Sequence, residues 1–374
     1  MGIVNPAGVR VTAVQTVPVS LPARPELVVR GAKGSHARSD FLLVRVVTSE
    51  GIEGYGEVSA TPLWSGEDGS SARHFIAELL GPALLGRRLA PVGALESLVD
   101  GLLAGNPFTK AGLATALWDV YARTLDVPLA VALGGAYRRQ VPIKISLSGD
   151  GPELDRAYAA SAAAGFRSFK VKVGLGVEAD VARVLRARGL AGAGAVLGVD
   201  ANGGWNRAQA RESLRGLTGA DLSFVEQPVA PEDLDGMAAL RAQGLPVVAD
   251  ESVFGRPDLI RVIRAGAADV VSIYVGKAGG PGRAVALAAL AEAFGIEVLI
   301  GSNGELGLGA AAQLQVACAL PALSTGLPSD IIGAHYYAED VLDCPLDSDG
   351  VLARLGDGAG LGVRPRDDLL RRFR

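Results

Sequence analysis

Hydrophobic and polar positions follow two different periods in the first third of this chain. Residues 9–19 and 40–47 alternate between apolar and polar side chains, and a glycine-containing turn at 51–57 enters a third strand. At 70–98 and 110–125 the apolar residues instead recur at helical spacing. This pattern predicts three strands followed by helices, which is an α+β arrangement.

From about residue 140 the pattern changes to short strand-like runs that alternate with helical stretches rich in Ala, Leu and Arg. The predicted strands lie near 141–148, 168–173, 195–200, 222–226, 246–250, 269–275, 296–301 and 322–326. Eight strands with helices between them predict a β/α barrel, with a doubly wound parallel sheet as the alternative. The barrel is favoured because successive strands end on acidic residues, and such barrels hold their active sites at these strand ends.

Two loops in the first third are long enough to cover a binding site. One spans residues 23–39, between the first two strands, and the other spans 60–67, after the third strand. Loops of this length are more often functional covers than simple connections. We therefore expect His36 and Trp64, which lie in these loops, to contact a substrate.

Composition and charge exclude several classes of protein. The 374 residues are 49% hydrophobic and 5% aromatic with 50 glycines, as in α/β enzymes with many tight turns. The net charge of −4 and the absence of a basic block argue against nucleic-acid binding. The sequence has no run of about 18 apolar residues and no secretory leader, and its only cysteines are Cys318 and Cys344. We expect a soluble cytoplasmic protein with no membrane partner.

The residues that end three of the predicted strands point to metal chemistry. Asp200, Glu226 and Asp250 each follow an apolar run directly. The carboxyl ends of barrel strands meet at one mouth, and three carboxylate ligands there suit Mg²⁺, with Mn²⁺ as an alternative. The alternative is that each acid caps the following helix. Helix capping could explain any one of these acids, but it explains all three together less well.

A lysine pair on the second barrel strand adds a candidate base. Lys170 and Lys172 flank Val171, so both project to the same face of the strand. A lysine beside another ammonium and a metal has a lowered pKa, which makes a neutral general base attainable near neutral pH. Lys172, nearer the strand end, is the predicted base, while Lys170 supports a substrate carboxylate or tunes its neighbour. A lysine pair on a surface strand is the alternative.

Other polar residues at the strand ends are candidates for substrate contacts. Tyr274, on the sixth strand, could exchange a proton or simply line the pocket, and Lys277 could bind substrate or be a solvated turn residue. Asn202 lies close enough to the first acid to contact the substrate or the ligand shell. Ser302 and Glu305, after the seventh strand, have either a ligand contact or a helix-entry role.

As a set, these motifs resemble the enolase superfamily, and within it the muconate lactonizing enzyme subgroup. The matching phrases are Lys170-Val171-Lys172, Asp200-Ala201-Asn202, Glu226-Gln227-Pro228, Ala249-Asp250-Glu251-Ser252 and Gly279-Gly280. The resemblance implies an α/β fold with a (β/α)7β TIM-type barrel at 129–339, an α+β capping domain at 1–128, and a C-terminal segment at 340–374 that packs back on the cap. It also implies an even-numbered homo-oligomer.

The same resemblance implies Mg²⁺ held by Asp200, Glu226 and Asp250, and a small carboxylate substrate whose α-proton is taken by Lys172. A metal-stabilised enediolate would follow, leading to dehydration or cycloisomerisation. The subgroup usually has a lysine where this chain has Tyr274, which favours chemistry that needs a single base.

Two alternatives to this reaction remain. One is racemisation or epimerisation of an amino-acid derivative or dipeptide, with Lys277 or Tyr274 as the second acid or base. The other is a non-catalytic barrel that binds a metal and a carboxylate.

Overall fold

The computed structural model describes residues 8–374, which fold as an antiparallel cap against a parallel barrel. The cap strands are β1 (Val11–Pro22), β2 (Val29–Gly31), β3 (Gly34–His36), β4 (Arg38–Thr48) and β5 (Glu53–Ser59). The cap helices are α1 (Pro62–Ser65), α2 (Gly69–Phe75), α3 (Gly81–Leu84), α4 (Val92–Leu102), α5 (Pro107–Thr124) and α6 (Leu129–Ala132), with a π-helical turn at Ile76–Leu80. Strands β1, β4 and β5 form the predicted three-stranded sheet.

The predicted loop at 23–39 contains structure that the hydrophobic pattern did not reveal. A 3-10 turn at Pro25–Leu27 is followed by a hairpin in which β2 pairs with β3. Each of these strands has three residues, which is too short for a recognisable alternation. We call the β2–β3 unit the cap hairpin.

Seven parallel strands form the barrel sheet, in chain order and preceded by the short strand β6 (Gln140–Pro142). They are β7 (Ile145–Leu147), β8 (Ser168–Lys172), β9 (Val196–Asp200), β10 (Phe224–Glu226), β11 (Val247–Ala249), β12 (Val270–Ile273) and β13 (Glu297–Ile300). The eighth position is an irregular segment, in which Leu323 bridges Val298 of β13 and Ser329 bridges Ile143. The predicted (β/α)7β-type architecture is confirmed, although no regular strand forms at 322–326.

Helices surround the barrel and join its strands. They are α7 (Pro152–Ala163), α8 (Val177–Ala191), α9 (Arg207–Gly216), α10 (Leu234–Arg241), α11 (Arg256–Ala265), α12 (Val275–Ala278), α13 (Pro281–Ala293) and α14 (Gly307–Ala319), with 3-10 turns at Thr218–Ala220 and Gly333–Tyr336. Within residues 8–374, no helix is both long and apolar enough to cross a membrane.

The barrel strands are short and apolar because both of their faces are buried. All three residues of β11 are fully buried, as expected for a parallel strand with side chains in the barrel and helices outside. Gly198 in β9 leaves room for the neighbouring strand, since a Cβ atom there would lie 2.1 Å from Cζ of Phe224. Packing thus explains why a glycine interrupts this apolar run.

The end of the chain returns to the cap. Strand β14 (Leu352–Arg354) pairs with β6, and helix α15 (Asp367–Leu370) follows. The backbone N–H of Thr16 in β1 donates to the carbonyl of Arg374 at 3.0 Å, and the rings of Tyr55 and Phe373 lie 6.2 Å apart. The domain limits 1–128, 129–339 and 340–374 stay predictions.

Candidate active site

A cavity lies at the carboxyl ends of the barrel strands, under the cap hairpin. Its wall brings together seven of the predicted site residues, which are Lys170, Lys172, Tyr274, Asn202, Ser302, Trp64 and His36. Strand β8 carries the two lysines, and Tyr274 directly follows β12. From the cap, Trp64 lies in α1 and His36 ends the cap hairpin. Cap and barrel therefore build one site.

The two lysines of β8 lie at different depths below the mouth of the barrel. Lys170 is 3% exposed and its ammonium donates to Glu226 Oε1 at 2.9 Å and Asp330 Oδ2 at 3.3 Å. Burial disfavours that ammonium, but Asp330 and Glu226 outweigh burial and raise the pKa of Lys170 well above its usual value. Lys172 lies nearer the mouth, and its Nζ donates to Asp200 Oδ2 at 2.7 Å and Asn202 Oδ1 at 3.0 Å. Lys170 is therefore a fixed positive charge.

The three predicted metal ligands lie side by side below the cavity. Asp200 and Glu226 are register partners on β9 and β10, and Asp250 directly follows β11. Each is at most 1% exposed, and each bonds a lysine or a tyrosine. In this arrangement no three His, Cys, Asp or Glu side chains within residues 8–374 converge as a metal ion would hold them.

The chemistry of these acids nevertheless fits a divalent cation. Burial raises the pKa of Glu226 to about 7, with Lys170 opposing the shift, and its Oε2 is buried without a hydrogen-bond partner among the described residues. Burial and the neighbouring Asp250 raise the pKa of Glu251 to about 8. Buried, underused carboxylate oxygens are ligands that Mg²⁺ prefers. The donor set is therefore suited to the metal that the sequence predicts.

Tyr274 lies across the barrel from the lysine pair, because β8 and β12 are the second and sixth of eight positions. Its hydroxyl donates to Asp250 Oδ2 at 2.7 Å, and its ring stacks on Trp64 with centroids 5.2 Å apart and planes at 12°. Burial and the Asp250 charge raise the pKa of the phenol well above its usual value. Tyr274 is thus a neutral hydrogen-bond donor.

Two predicted substrate contacts lie outside the cavity wall. Lys277 is 2% exposed, and its ammonium bonds Asp250 and the carbonyl of Ser272, 4.4 Å from the centroid of the Tyr274 ring. Glu305 accepts a hydrogen bond from Gln313 at 2.8 Å on the cap side of α14. Neither residue lines the cavity, and their polar atoms are engaged by other residues.

His36, on the cap hairpin, does reach the cavity. Burial and the nearby Lys172 ammonium lower its pKa, so the imidazole is neutral at physiological pH. It can offer a hydrogen bond to a ligand but no fixed charge.

Sequence reasoning missed a second layer of charges. Lys144 is fully buried and its ammonium lies 2.9 Å from Asp330, which also contacts Lys170. Asp330 lines the cavity at the eighth barrel position. An acid at the end of the eighth strand would have been a signal in the sequence. Asp330 was missed because the predicted strand ended four residues earlier, at residue 326. Lys33 in the cap hairpin also lines the cavity and had no sequence signal at all.

Comparisons with known proteins agree with this geometry. The mandelate racemase / muconate lactonizing enzyme N-terminal domain family matches residues 11–134, and the enolase C-terminal domain-like family matches residues 153–369. The chain belongs to the enolase superfamily. The predicted family is therefore confirmed.

Individual relatives of this superfamily member extend over almost its whole length. The N-succinyl-L-Arg/Lys racemase of Bacillus cereus is 32% identical over 364 residues, covering 96% of this chain and 97% of the relative. Muconate cycloisomerase 1 of Rhodococcus opacus is 32% identical over 369 residues, with 96% and 97% covered. The structure of the Pseudomonas fluorescens muconate lactonizing enzyme with muconolactone aligns with a TM-score of 0.90 at 28% identity, covering 98% of this chain and 99% of that one. The protein is an enolase superfamily enzyme of the isomerase or lyase type.

Proposed function

We propose that this enzyme removes the proton α to the carboxylate of a small substrate, with Lys172 as the base, and completes a cycloisomerisation or elimination. The observation that carries this proposal is the asymmetry of the cavity. An amine, Lys172, stands on one side, whereas the opposite side offers the Tyr274 hydroxyl, already donated to Asp250. Such a site has one base, which suffices for chemistry on a single face of the substrate carbon.

Each residue of the cavity has a separate role in the proposed reaction. Lys172 accepts the α-proton at Nζ in its neutral form, and Asn202 orients that nitrogen through their 3.0 Å contact. Lys170 presents a permanent positive charge to the substrate carboxylate. A divalent cation held by the three strand-end acids would supply charge that stabilises the enediolate oxygens. The cap hairpin and Trp64 line the mouth and would limit the access of water to the substrate.

Racemisation or epimerisation is the second candidate. This chain is 32% identical to both the Bacillus cereus racemase and the Rhodococcus opacus cycloisomerase, and Tyr274 lies across the barrel from Lys172. In this reaction Tyr274 would return a proton to the second face. Asp250 would first have to release the hydroxyl, which now donates to its Oδ2.

Isotope exchange tests both candidates. The enzyme, supplied with Mg²⁺ in D₂O, is mixed with muconolactone or with N-succinyl-L-amino acids, and the α-proton and product are followed by NMR. We expect Mg²⁺-dependent product formation, or exchange that retains the configuration. Formation of the racemate would select the second candidate. Neither exchange nor product with either substrate class would contradict the proposal and favour a non-catalytic barrel.

A Tyr274→Phe variant should still catalyse α-proton exchange, but more slowly. It removes the hydrogen bond to Asp250 but leaves the ring stacked on Trp64, so the rate should fall by about tenfold, as for one lost bond of about 1.4 kcal/mol. Exchange rates by NMR provide the measurement, and Tyr121→Phe in α5 is the control. A loss several orders of magnitude larger would assign Tyr274 an essential proton transfer.

A further inference from the structure

Lys33 is a cation of the cavity wall that forms no ion pair within the described part of the chain. The other two lysines of the wall each contact a carboxylate, since Lys170 pairs with Glu226 and Lys172 pairs with Asp200. Lys33 is half-buried in the turn of the cap hairpin. A partly buried ammonium without a counter-charge has lost some of its hydration, so an anion from elsewhere would stabilise it.

The position of Lys33 is set by an anchored hairpin. The backbone N–H of Arg30 donates to Ser148 Oγ at 3.0 Å, and its guanidinium pairs with Glu153 at 2.9 Å. The next residue lies directly over the base, because a Cβ atom at Gly31 would be 3.6 Å from Cδ of Lys172. The hairpin therefore begins above the reacting end of the cavity.

The other end of the hairpin turn lies towards the opposite side of the mouth. A Cβ atom at Gly34 would be 3.4 Å from Cδ1 of Leu63, and the adjacent Trp64 stacks on Tyr274. Lys33 thus lies between the two sides, two residues past Gly31, or at most about 7 Å further along the chain. A group held by Lys33 would belong to the part of a substrate remote from its reacting carbon.

The charge of the wall defines what that group can be. Asp330 is the only carboxylate among the wall residues that the structure describes, and it is engaged by Lys144 and Lys170. Nothing in the wall would pair with a substrate ammonium. Between the charged groups the wall is apolar or aromatic, with Leu27 and Val29 among its residues.

We propose that Lys33 binds a second anionic group, a carboxylate at the far end of the substrate. The site would then accept dicarboxylates, or amino acids whose nitrogen carries a dicarboxylic acyl group, and would reject compounds with a free ammonium. This inference rests on the proposed function for the placement of the first carboxylate.

Calorimetry with two matched probes tests the role of Lys33. N-succinyl-L-leucine and N-butyryl-L-leucine have acyl groups of equal carbon number, with a carboxylate in the first where the second has a methyl group. The full-length protein with Mg²⁺ should bind the succinyl compound about tenfold more tightly. In Lys33→Gln that preference should fall to about twofold or less, and Lys33→Arg should restore it.

Arg38→Gln is the control, because Arg38 follows the hairpin, bonds Ser20 and lies outside the cavity wall. It should keep the tenfold preference. Equal affinity of the unmodified enzyme for both probes would overturn the inference, as would a Lys33→Gln variant that weakens both probes equally. If the preference depends on Lys33 but no α-proton exchange occurs, the inference stands and the proposed reaction fails. Exchange without a charge preference overturns the inference alone.

Discussion

Alanine in place of Lys172 should slow exchange of the substrate α-proton with solvent by about 10²–10⁴-fold, the contribution expected of a positioned general base. No other amine of the cavity wall can take over, since Lys170 is held as an ammonium by Glu226 and Asp330, and Lys33 lies in the cap hairpin. The measurement is the loss of the α-proton NMR signal in D₂O at saturating Mg²⁺.

Two further variants separate the base from the ion pair. Lys172→Arg keeps a positive charge beside Asp200 but removes a group that can be neutral, so its exchange should be as slow as that of the alanine variant. Lys110→Ala, in α5, removes a lysine that pairs with Asp100 far from the cavity, and should leave exchange unchanged. Undiminished exchange in Lys172→Ala would remove Lys172 from its proposed role.

Glutamine in place of Glu226 should weaken Mg²⁺ binding by about 100-fold, because one of three anionic ligands becomes neutral while its shape is kept. Titration calorimetry with Mg²⁺ alone measures this effect without any substrate. Lys170 loses its 2.9 Å partner in this variant but keeps Asp330 and Asp200, so its ammonium stays paired.

Asp330→Asn is the matched control for Glu226. It also removes a carboxylate from Lys170, but Asp330 belongs to the eighth position and not to the three acids on adjacent strands. Its stability should fall while its affinity for Mg²⁺ changes little. If both variants lost Mg²⁺ binding equally, the loss would arise from the disturbed lysine and not from a missing ligand.

Strand ends were predictable from the sequence, because a parallel barrel strand is apolar until it leaves the sheet. The predicted run 195–200 agrees with β9 (Val196–Asp200), and 168–173 agrees with β8 (Ser168–Lys172). The placement of Asp200 beside Glu226 follows from that arrangement alone. The hydrophobic pattern within each strand is enough to predict where that strand ends, and no knowledge of the neighbouring strands is needed.

Features that depend on long-range packing were not predictable. Lys277 folds back under Asp250, and no local pattern distinguishes this from a lysine pointing into solvent. The pairing of Lys144 with Asp330 joins residues at opposite ends of the barrel sequence. The eighth strand is reduced to bridges in a stretch that contains Pro321 and Pro328, and proline lacks the N–H that a sheet ladder needs.

The stack between Trp64 and Tyr274 connects the cap to the barrel side of the cavity. Trp64 belongs to α1 of the cap and Tyr274 to the barrel, so lifting the cap loop takes away the surface that holds the phenol ring. If substrate enters by this route, Tyr274 would lack its stacking partner until the cap returns. In the proposed reaction, a closed cap would keep the enediolate away from bulk water.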